Sequence, residues 1–530
     1  MKNEKSNLIL SISFAIVFLI TVGISYAYFS ARISGLENAS TISLEAGEMS
    51  IEYSENTNKI DLVGIYPKEK EWATKIITVT GKNTTNLYMK YELGLEVTTN
   101  DFKNSYIKYD LKLVEGTNGS PISDITLKNI NGTGYKRFGT GYFANANNEV
   151  HKYELKIYFK PNGRDQNDAQ KAVFNAKVKI TTLESENPNE KRAMFLEGFA
   201  VNKIMKTLAN LANGDETVVE NQMTANTTIT AIKESETEPI SENKQGKNIV
   251  SVNSNDYSIP IYMWYEDGTI YWWSKDKHPL ISSSLNNTGF FQALTNLVDI
   301  SGLTNFDLSK AKNISNMFAS DINLENINSI DKWNLSNVNN INYLFNNCAK
   351  LVDISSLVNW DVSNITNTKF LFDNSSLNNL NALKNWDVSN VANMENIFNK
   401  TKINNLSGLE NWDTSKVESL FNAFSNNYNL LDISAISNWN VSNVTYMYGI
   451  FMWDSKINSI SGLENWDVSN VNDFSNMFRG LSKLNSASNI DNWNIEPNAN
   501  FAYMFLNTPV HPNFTKVQGT WNNGTFTPNP

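Results

Sequence analysis

One cysteine, Cys348, stands in 530 residues, so no disulfide can close within the chain and its stability has to come from packing. Histidine is almost as scarce. His151, His278 and His511 lie far apart and form no His-Glu-x-x-His pattern, so the ligand spacing of a catalytic zinc is missing. No glycine-rich phosphate loop occurs. Cationic residues number 44 against 54 acidic ones, a formal net charge of -10, which removes the counterion-releasing surface that nucleic-acid binding needs. These absences point away from an enzyme, from a cofactor or metal, and from nucleic acid. Long apolar runs are missing too, with one exception, Leu8 to Phe29. Lys2, Glu4 and Lys5 precede that run, and Ser25-Tyr26-Ala27 puts small residues at -3 and -1, the pattern of a signal peptide. The run is also close to the roughly 20 residues that span a hydrocarbon core. Either a cleaved leader or an uncleaved anchor exports residues 30–530, so membrane contact is expected through this segment alone.

What is present is ordinary for folded protein: 41% hydrophobic and 18% charged residues, over a length that calls for two or three domains. Residues 30–185 alternate with period two. Leu87, Met89, Tyr91, Leu93, Leu95 and Val97 form one such set, and Ile107 to Leu113, Tyr153 to Phe159 and Phe174 to Ile180 repeat it. Several strands with turns such as Glu115-Gly116-Thr117-Asn118-Gly119 and no helix between them predict an antiparallel β-sandwich. Residues 189–213 read as a helix with Leu196, Ala200, Ile204, Leu208 and Leu211 on one stripe and Gly214 as its stop. From about 215 to 256 the sequence is polar and reads as a partly disordered linker.

The C-terminal two-fifths is periodic. Trp stands at 333, 360, 386, 412, 439, 466 and 493, with Phe306 one period earlier, in steps of 26 or 27 residues. Twelve residues after each anchor stands a Phe, from Phe318 to Phe505, and aliphatics precede each anchor at -9, -6 and -3. Such a period means a stacked array of coils. The fixed register against aliphatics makes the Trp column interior rather than a sugar-stacking platform. Ser at +3 in seven repeats, followed by apolar residues near +5, +8, +11 and +12, predicts a capped two-turn helix after the anchor. A short strand is expected before it. Asp or Asn at +1 of every anchor is one oxygen ligand per coil, too few for calcium, and fits a turn role. Cys348 falls inside a repeat as a buried filler.

Two resemblances follow from particular residues. Tyr26-Ala27-Tyr28-Phe29, Leu44-Glu45-Ala46-Gly47 and the stretch from Lys75-Ile76-Ile77-Thr78-Val79-Thr80 through Leu87 to Tyr91 resemble the TasA and camelysin group of exported bacterial matrix proteins. That resemblance implies a jelly-roll-like sandwich, and some members form fibres. Asn465-Trp466-Asp467-Val468-Ser469-Asn470-Val471 with Asn476-Met477-Phe478, and Trp386-Asp387-Val388-Ser389-Asn390-Val391, resemble the BspA-type leucine-rich-repeat family of bacterial surface proteins. This second resemblance implies an exported or cell-surface protein that binds host or partner-bacterial components. Ile261 to Trp273, with Asp267-Gly268 between two aromatic strands, resembles the hairpin that precedes such repeats.

The expected fold class is therefore mixed α+β and multidomain: an N-terminal antiparallel β-sandwich, then a leucine-rich-repeat-type solenoid of short strands and short helices. The expected parts are a leader or anchor (1–29), the sandwich (30–185), a helix plus polar linker (186–256), an aromatic hairpin cap (257–289), the solenoid (290–510) and a tail (511–530). The expected function is adhesin-like binding at the cell surface or outside the cell. A matrix- or fibre-forming role of the sandwich is the alternative. An extracellular protein or glycan would meet the variable positions between the fixed aliphatics, Asn378, Asn379, Asn404, Asn405 and Asn458.

Overall fold

A computed structural model describes residues 40–44, 47–53, 58–83, 88–103, 106–117, 119–144, 146–161, 166, 169, 171–182, 192–239, 248–254, 259–282 and 288–529. The leader or anchor at 1–29 lies outside them. Among the described residues no helix is long and apolar enough to cross a membrane. Among the described residues the fold is β-rich with one α-helix, and the chain divides into two compact units between Glu190 and Lys191.

Among the described residues the first unit has ten strands: β1 (Ser40–Leu44), β2 (Gly47–Tyr53), β3 (Lys59–Val63), β4 (Ala73–Asn83), β5 (Met89–Asn100), β6 (Ile107–Gly116), β7 (Ile125–Asn129), β8 (Gly134–Phe143), β9 (Ala146–Phe159) and β10 (Val173–Thr182). They form a six-stranded sheet, β1-β2-β4-β9-β6-β7, and a four-stranded sheet, β3-β10-β5-β8, and every pairing is antiparallel. The period-two residues explain why. Met89, Tyr91, Leu93 and Leu95 of β5 and Tyr153, Leu155, Ile157 and Phe159 of β9 are buried, and both sheets supply one apolar cluster. One polar chain crosses that cluster. The Tyr91 hydroxyl lies 2.6 Å from His151 Nδ1 and 2.5 Å from the Tyr153 hydroxyl, which in turn accepts the Ile122 N–H at 2.9 Å. Burying these groups costs little because they satisfy one another.

The second unit begins with α1 (Gly198–Ala212) and a four-stranded sheet, β11-β14-β13-β12, made of β11 (Ala231–Glu234), β12 (Val250–Ser251), β13 (Ile261–Glu266) and β14 (Thr269–Ser274). Left-handed Asp267 and Gly268 close the expected tight hairpin between β13 and β14. Gly214 ends α1 as expected, with the Asp215 N–H returning to the Asn210 carbonyl at 2.9 Å. The buried face of α1 is rotated from the expected stripe, however. It carries Val201, Met205, Leu208 and Ala209 together with Asn202 and Lys206, while Leu211 is exposed. The polar pair is buried because main-chain carbonyls receive it. Asn202 Nδ2 donates to the Gln292 carbonyl at 3.0 Å and Lys206 Nζ to the same carbonyl at 2.7 Å.

Two further expectations are corrected. The polar stretch after 215 is not wholly a linker: β11 runs parallel to β14, and its Ile232 N–H donates to the Asp299 carbonyl at 2.8 Å, so it lies under the first repeat. The segment expected as a tail, 511–530, carries two strands. Strands β15 (Gly519–Asn522) and β16 (Thr525–Pro528) form a hairpin whose Gly524 carbonyl accepts the Phe505 N–H, and its Phe526 closes the apolar cluster of the last coil. Both segments are polar in sequence because they supply main-chain partners more than side chains.

Between these ends each 26–27-residue coil repeats the same bonds. The anchor indole N–H donates to the carbonyl of the -3 residue of the preceding coil: Trp333 to Leu303, Trp360 to Ile330, Trp386 to Leu357, Trp412 to Leu383, Trp439 to Leu409, Trp466 to Ile436 and Trp493 to Leu463, at 2.8–3.1 Å. From the preceding sheet, Trp272 donates its indole N–H to the Gly302 carbonyl of the first coil at 3.0 Å. The Phe residues at +12 stack nearly parallel, with centroids 5.6–6.0 Å apart from Phe318 to Phe478.

The local structure reverses the expected order. Short 3₁₀ turns such as Asn328–Ile330 and Ser434–Ile436 precede the anchor, and no α-helix follows it. After the anchor, N–H groups at +8, +10, +12 and +14 donate to carbonyls at +7, +9, +11 and +13 of the next coil, as from Ile341, Tyr343, Phe345 and Asn347 to Asn367, Lys369, Leu371 and Asp373. Overlapping i to i+3 turns join these residues, and +10 and +14 are left-handed in all eight coils. Apolar residues at +8, +11 and +12 suit this chain of turns as well as they suit a helix turn. Only the turns leave alternate N–H groups free for a neighbouring coil. Trp412→Ala removes an interior anchor and its inter-coil bond. It is expected to cost about 3–5 kcal/mol in urea unfolding; a change within error would mean the Trp column does not hold the coils.

Candidate partner-contact surface

Asparagine is abundant in the coils because it satisfies the backbone. At +1, Asp or Asn accepts the N–H of the Ser at +3, as in Asp361 to Ser363 at 3.1 Å and Asp467 to Ser469 at 3.2 Å. That Ser is therefore not a helix N-cap; Ser363 and Ser469 donate their hydroxyls back to the same carboxylates. At +4, Asn Nδ2 reaches the preceding coil, as in Asn337 to the Ser309 carbonyl at 2.7 Å and Asn470 to Ser442 at 2.7 Å.

The same chemistry occupies part of the expected contact face. Asn379 Oδ1 accepts the Asn381 N–H at 2.7 Å, closing the 3₁₀ turn before the anchor, and Asn405 Oδ1 accepts the Ser407 N–H at 2.9 Å at the equivalent turn of its coil. Asn404 Oδ1 receives Asn405 Nδ2 at 2.6 Å. Asn378, Asn404 and Asn458 are exposed at -8, in one row with Val298, Val352 and Leu431. The structure does bring the five residues to one side of the coils, but as a mixed row.

The other exterior rows carry the signal that sequence reading missed. A left-handed residue is cheap as Gly or Asn and costs a bulky L-residue about 1–2 kcal/mol. Most coils obey this at +10 and +14, with Asn316, Asn396, Asn422, Gly449 and Asn476, and with Asn347, Asn374, Asn426 and Gly480. Ser320 and Lys400 at +14 depart from it, and so do Tyr343, Phe370 and Tyr503 at +10 and Trp453 at +14, none of them a core residue. Their rings are paired across coils. Tyr343 and Phe370 stack at 4.7 Å, and Phe421 and Tyr448, at +9 in consecutive coils, do the same. Arg479 lies 5.1 Å from the Trp453 ring and 5.9 Å from Tyr503. Tyr446, 53% exposed, stands at +7 where five other coils carry Asn. The anchor register alone would have exposed these departures.

The interior is polar in one column, at +15. Asp321, Cys348, Ser375, Thr401, Asn427 and Asp454 follow one another there, all buried. Cys348 Sγ lies 3.1 Å from the Phe318 carbonyl and burial pushes its thiol up, which fits the expected structural filler. Burial pushes the Lys206 ammonium down to about 8, with Asp321 opposing the shift. Asp454 Oδ1 accepts the Asn427 N–H at 2.6 Å, its other oxygen has no partner, and burial raises its carboxyl well above the usual range. Among the described residues no group of three or more His, Cys, Asp or Glu is placed to hold a metal ion.

Residues 286–407 and 399–521 each match a family model described as a Mycoplasma protein of unknown function, DUF285. The C-terminal half thus carries one repeat domain twice. No curated protein and no solved structure matches the chain.

Asp454 gives a signed expectation. Its folded carboxyl keeps its proton above the unfolded value of 3.8, so the folded state holds more protons and loses stability as pH rises past about 4. Asp454→Asn keeps the acceptor and removes the titration. Its melting temperature is expected to exceed the parent's at pH 7, with the gain shrinking towards pH 4. An equal gain at both values would exclude the buried acid as its source.

Proposed function

We propose that this chain is an exported, surface-displayed binding protein of the BspA-like kind, whose coils form a leucine-rich-repeat-type solenoid that presents its exterior to an extracellular protein or glycan. The observation that carries this reading is the set of aromatic side chains at left-handed exterior positions. They carry backbone strain where Asn would not, and such strain clusters at functional surfaces. The twofold repeat-domain match is compatible with it.

A second reading concerns the first unit. Its two antiparallel sheets suit the jelly-roll-like sandwich of the TasA and camelysin group, and β1 and β7 end the six-stranded sheet with one neighbour each. Edges of this kind are templates for pairing with further chains. Polymerisation into matrix fibres would then carry the coils as displayed cargo.

Two measurements separate these. Cell fractionation with intact-mass analysis, followed by biolayer interferometry of residues 30–530 against host matrix proteins, cell-surface glycans and neighbouring bacteria, is expected to find the chain outside the membrane and at least one saturable partner. A cytosolic location, or no saturable partner in the whole panel, would remove the binding reading. Electron microscopy of the same chain at high concentration is expected to show monomers; regular fibres would favour the matrix role.

A further inference from the structure

We infer that Arg479, held between Trp453 and Tyr503, is a carboxylate anchor for an acidic segment of a protein partner. This rests on the binding reading above and names the partner chemistry. Four residues from three consecutive coils build the place. Trp453 and Tyr503 take left-handed positions, at φ 68 and 58. Gly480 replaces the side chain that other coils carry at +14, and a Cβ there would come within 2.4 Å of the Trp453 ring. Arg479, from the coil between, then fills the gap between the two rings.

The guanidinium is oriented and short of partners. Nη1 donates to Asn476 Oδ1 at 3.0 Å, Nε is buried, and among the described residues no carboxylate forms an ion pair with the group, which leaves the terminal nitrogens to meet a partner. In a chain of net charge -10 an unpaired, ring-clamped arginine is out of keeping. Its fork matches a carboxylate, and two flanking rings hold it in place before any partner arrives, so little side-chain freedom is lost on binding.

The residue set favours a polypeptide over a sugar. Arg479 engages the rings of Trp453 and Tyr503, and Phe421 and Tyr448 engage each other. Tyr503, 47% exposed, supplies apolar area beside the guanidinium. Trp, Tyr and Arg together are also the composition of protein-binding hot spots.

The test uses residues 30–530, panned with a random-peptide display library and titrated with hyaluronan and polygalacturonate as anionic glycans. The expected result is enrichment of peptides rich in Asp and Glu, bound more weakly as salt rises. Arg479→Gln should weaken them at least about tenfold, as should replacing their acids with amides. Lys332→Gln, which removes an equal charge from an exposed position elsewhere, should leave binding unchanged. Tyr503→Asn should weaken binding while raising the melting temperature, an opposition that a folding defect cannot produce. Enriched peptides without acids, full binding by Arg479→Gln, or glycan binding that depends on Arg479 would each overturn the inference. If no peptide binds while a partner from the surface panel still does, the anchor fails and the binding reading stands; if neither binds, both fail.

Discussion

The repeat unit depends on one backbone constraint: between +8 and +14 every second N–H must point at the next coil. A helix cannot meet it, because it turns its N–H groups along its own axis. A strand sends successive N–H groups to opposite edges, but it also sends successive side chains to opposite faces, and the apolar +11 and +12 pair must both face inward. Left-handed residues at +10 and +14 resolve the conflict. They rotate the chain so that Tyr343 and Asn347 donate to the coil above while Leu344 and Phe345 stay inside. The composition follows. Asparagine is the side chain that tolerates the left-handed region most readily after glycine, and its amide also closes the turns at +1 and -7 and bridges coils at +4.

The interior was legible in the sequence, and the local conformation was not. Trp at the anchor, Phe at +12 and aliphatics at -9, -6 and -3 fix the buried set whatever path the backbone takes, and all of them are buried. Their spacing does not fix that path, since apolar residues at +8, +11 and +12 fit a helix turn and a chain of β-turns alike. The ends of the array were hidden for a related reason. Ile232 and Gly524 work there through main-chain groups, which composition does not display. In α1 the expected stripe was displaced because Asn202 and Lys206 count as polar in a pattern, yet carbonyls at Phe290, Gln222 and Gln292 take up their donors. The strands of the first unit gave no such difficulty, because period two in β5, β9 and β10 admits a single reading.

The candidate surface was half legible. The asparagines before the anchor are variable beside fixed aliphatics, as a contact residue is, but Asn379 and Asn405 are variable only among the side chains able to accept the same N–H. Asp353, Asp432 and Ser459 do it in other coils. Variation within one chemical role reflects turn formation. Variation that breaks the role is different: Tyr446 sits where Asn340, Asn367 and Asn393 close a turn, and it cannot close one.

A repeat array makes such departures readable, because each coil is an internal control for the others. Ring pairs form only where neighbouring coils depart together, as Tyr343 with Phe370 and Phe421 with Tyr448. An isolated aromatic at a left-handed site would bear about 1–2 kcal/mol of strain with little to offset it. A stacked pair recovers part of that, roughly 0.5–1.5 kcal/mol, through its neighbour. Stacking can therefore make the rings tolerable without explaining why Asn was replaced, since Asn bears no such strain. That uncompensated strain is what the proposed contact surface rests on, at Tyr343, Phe370, Trp453 and Tyr503.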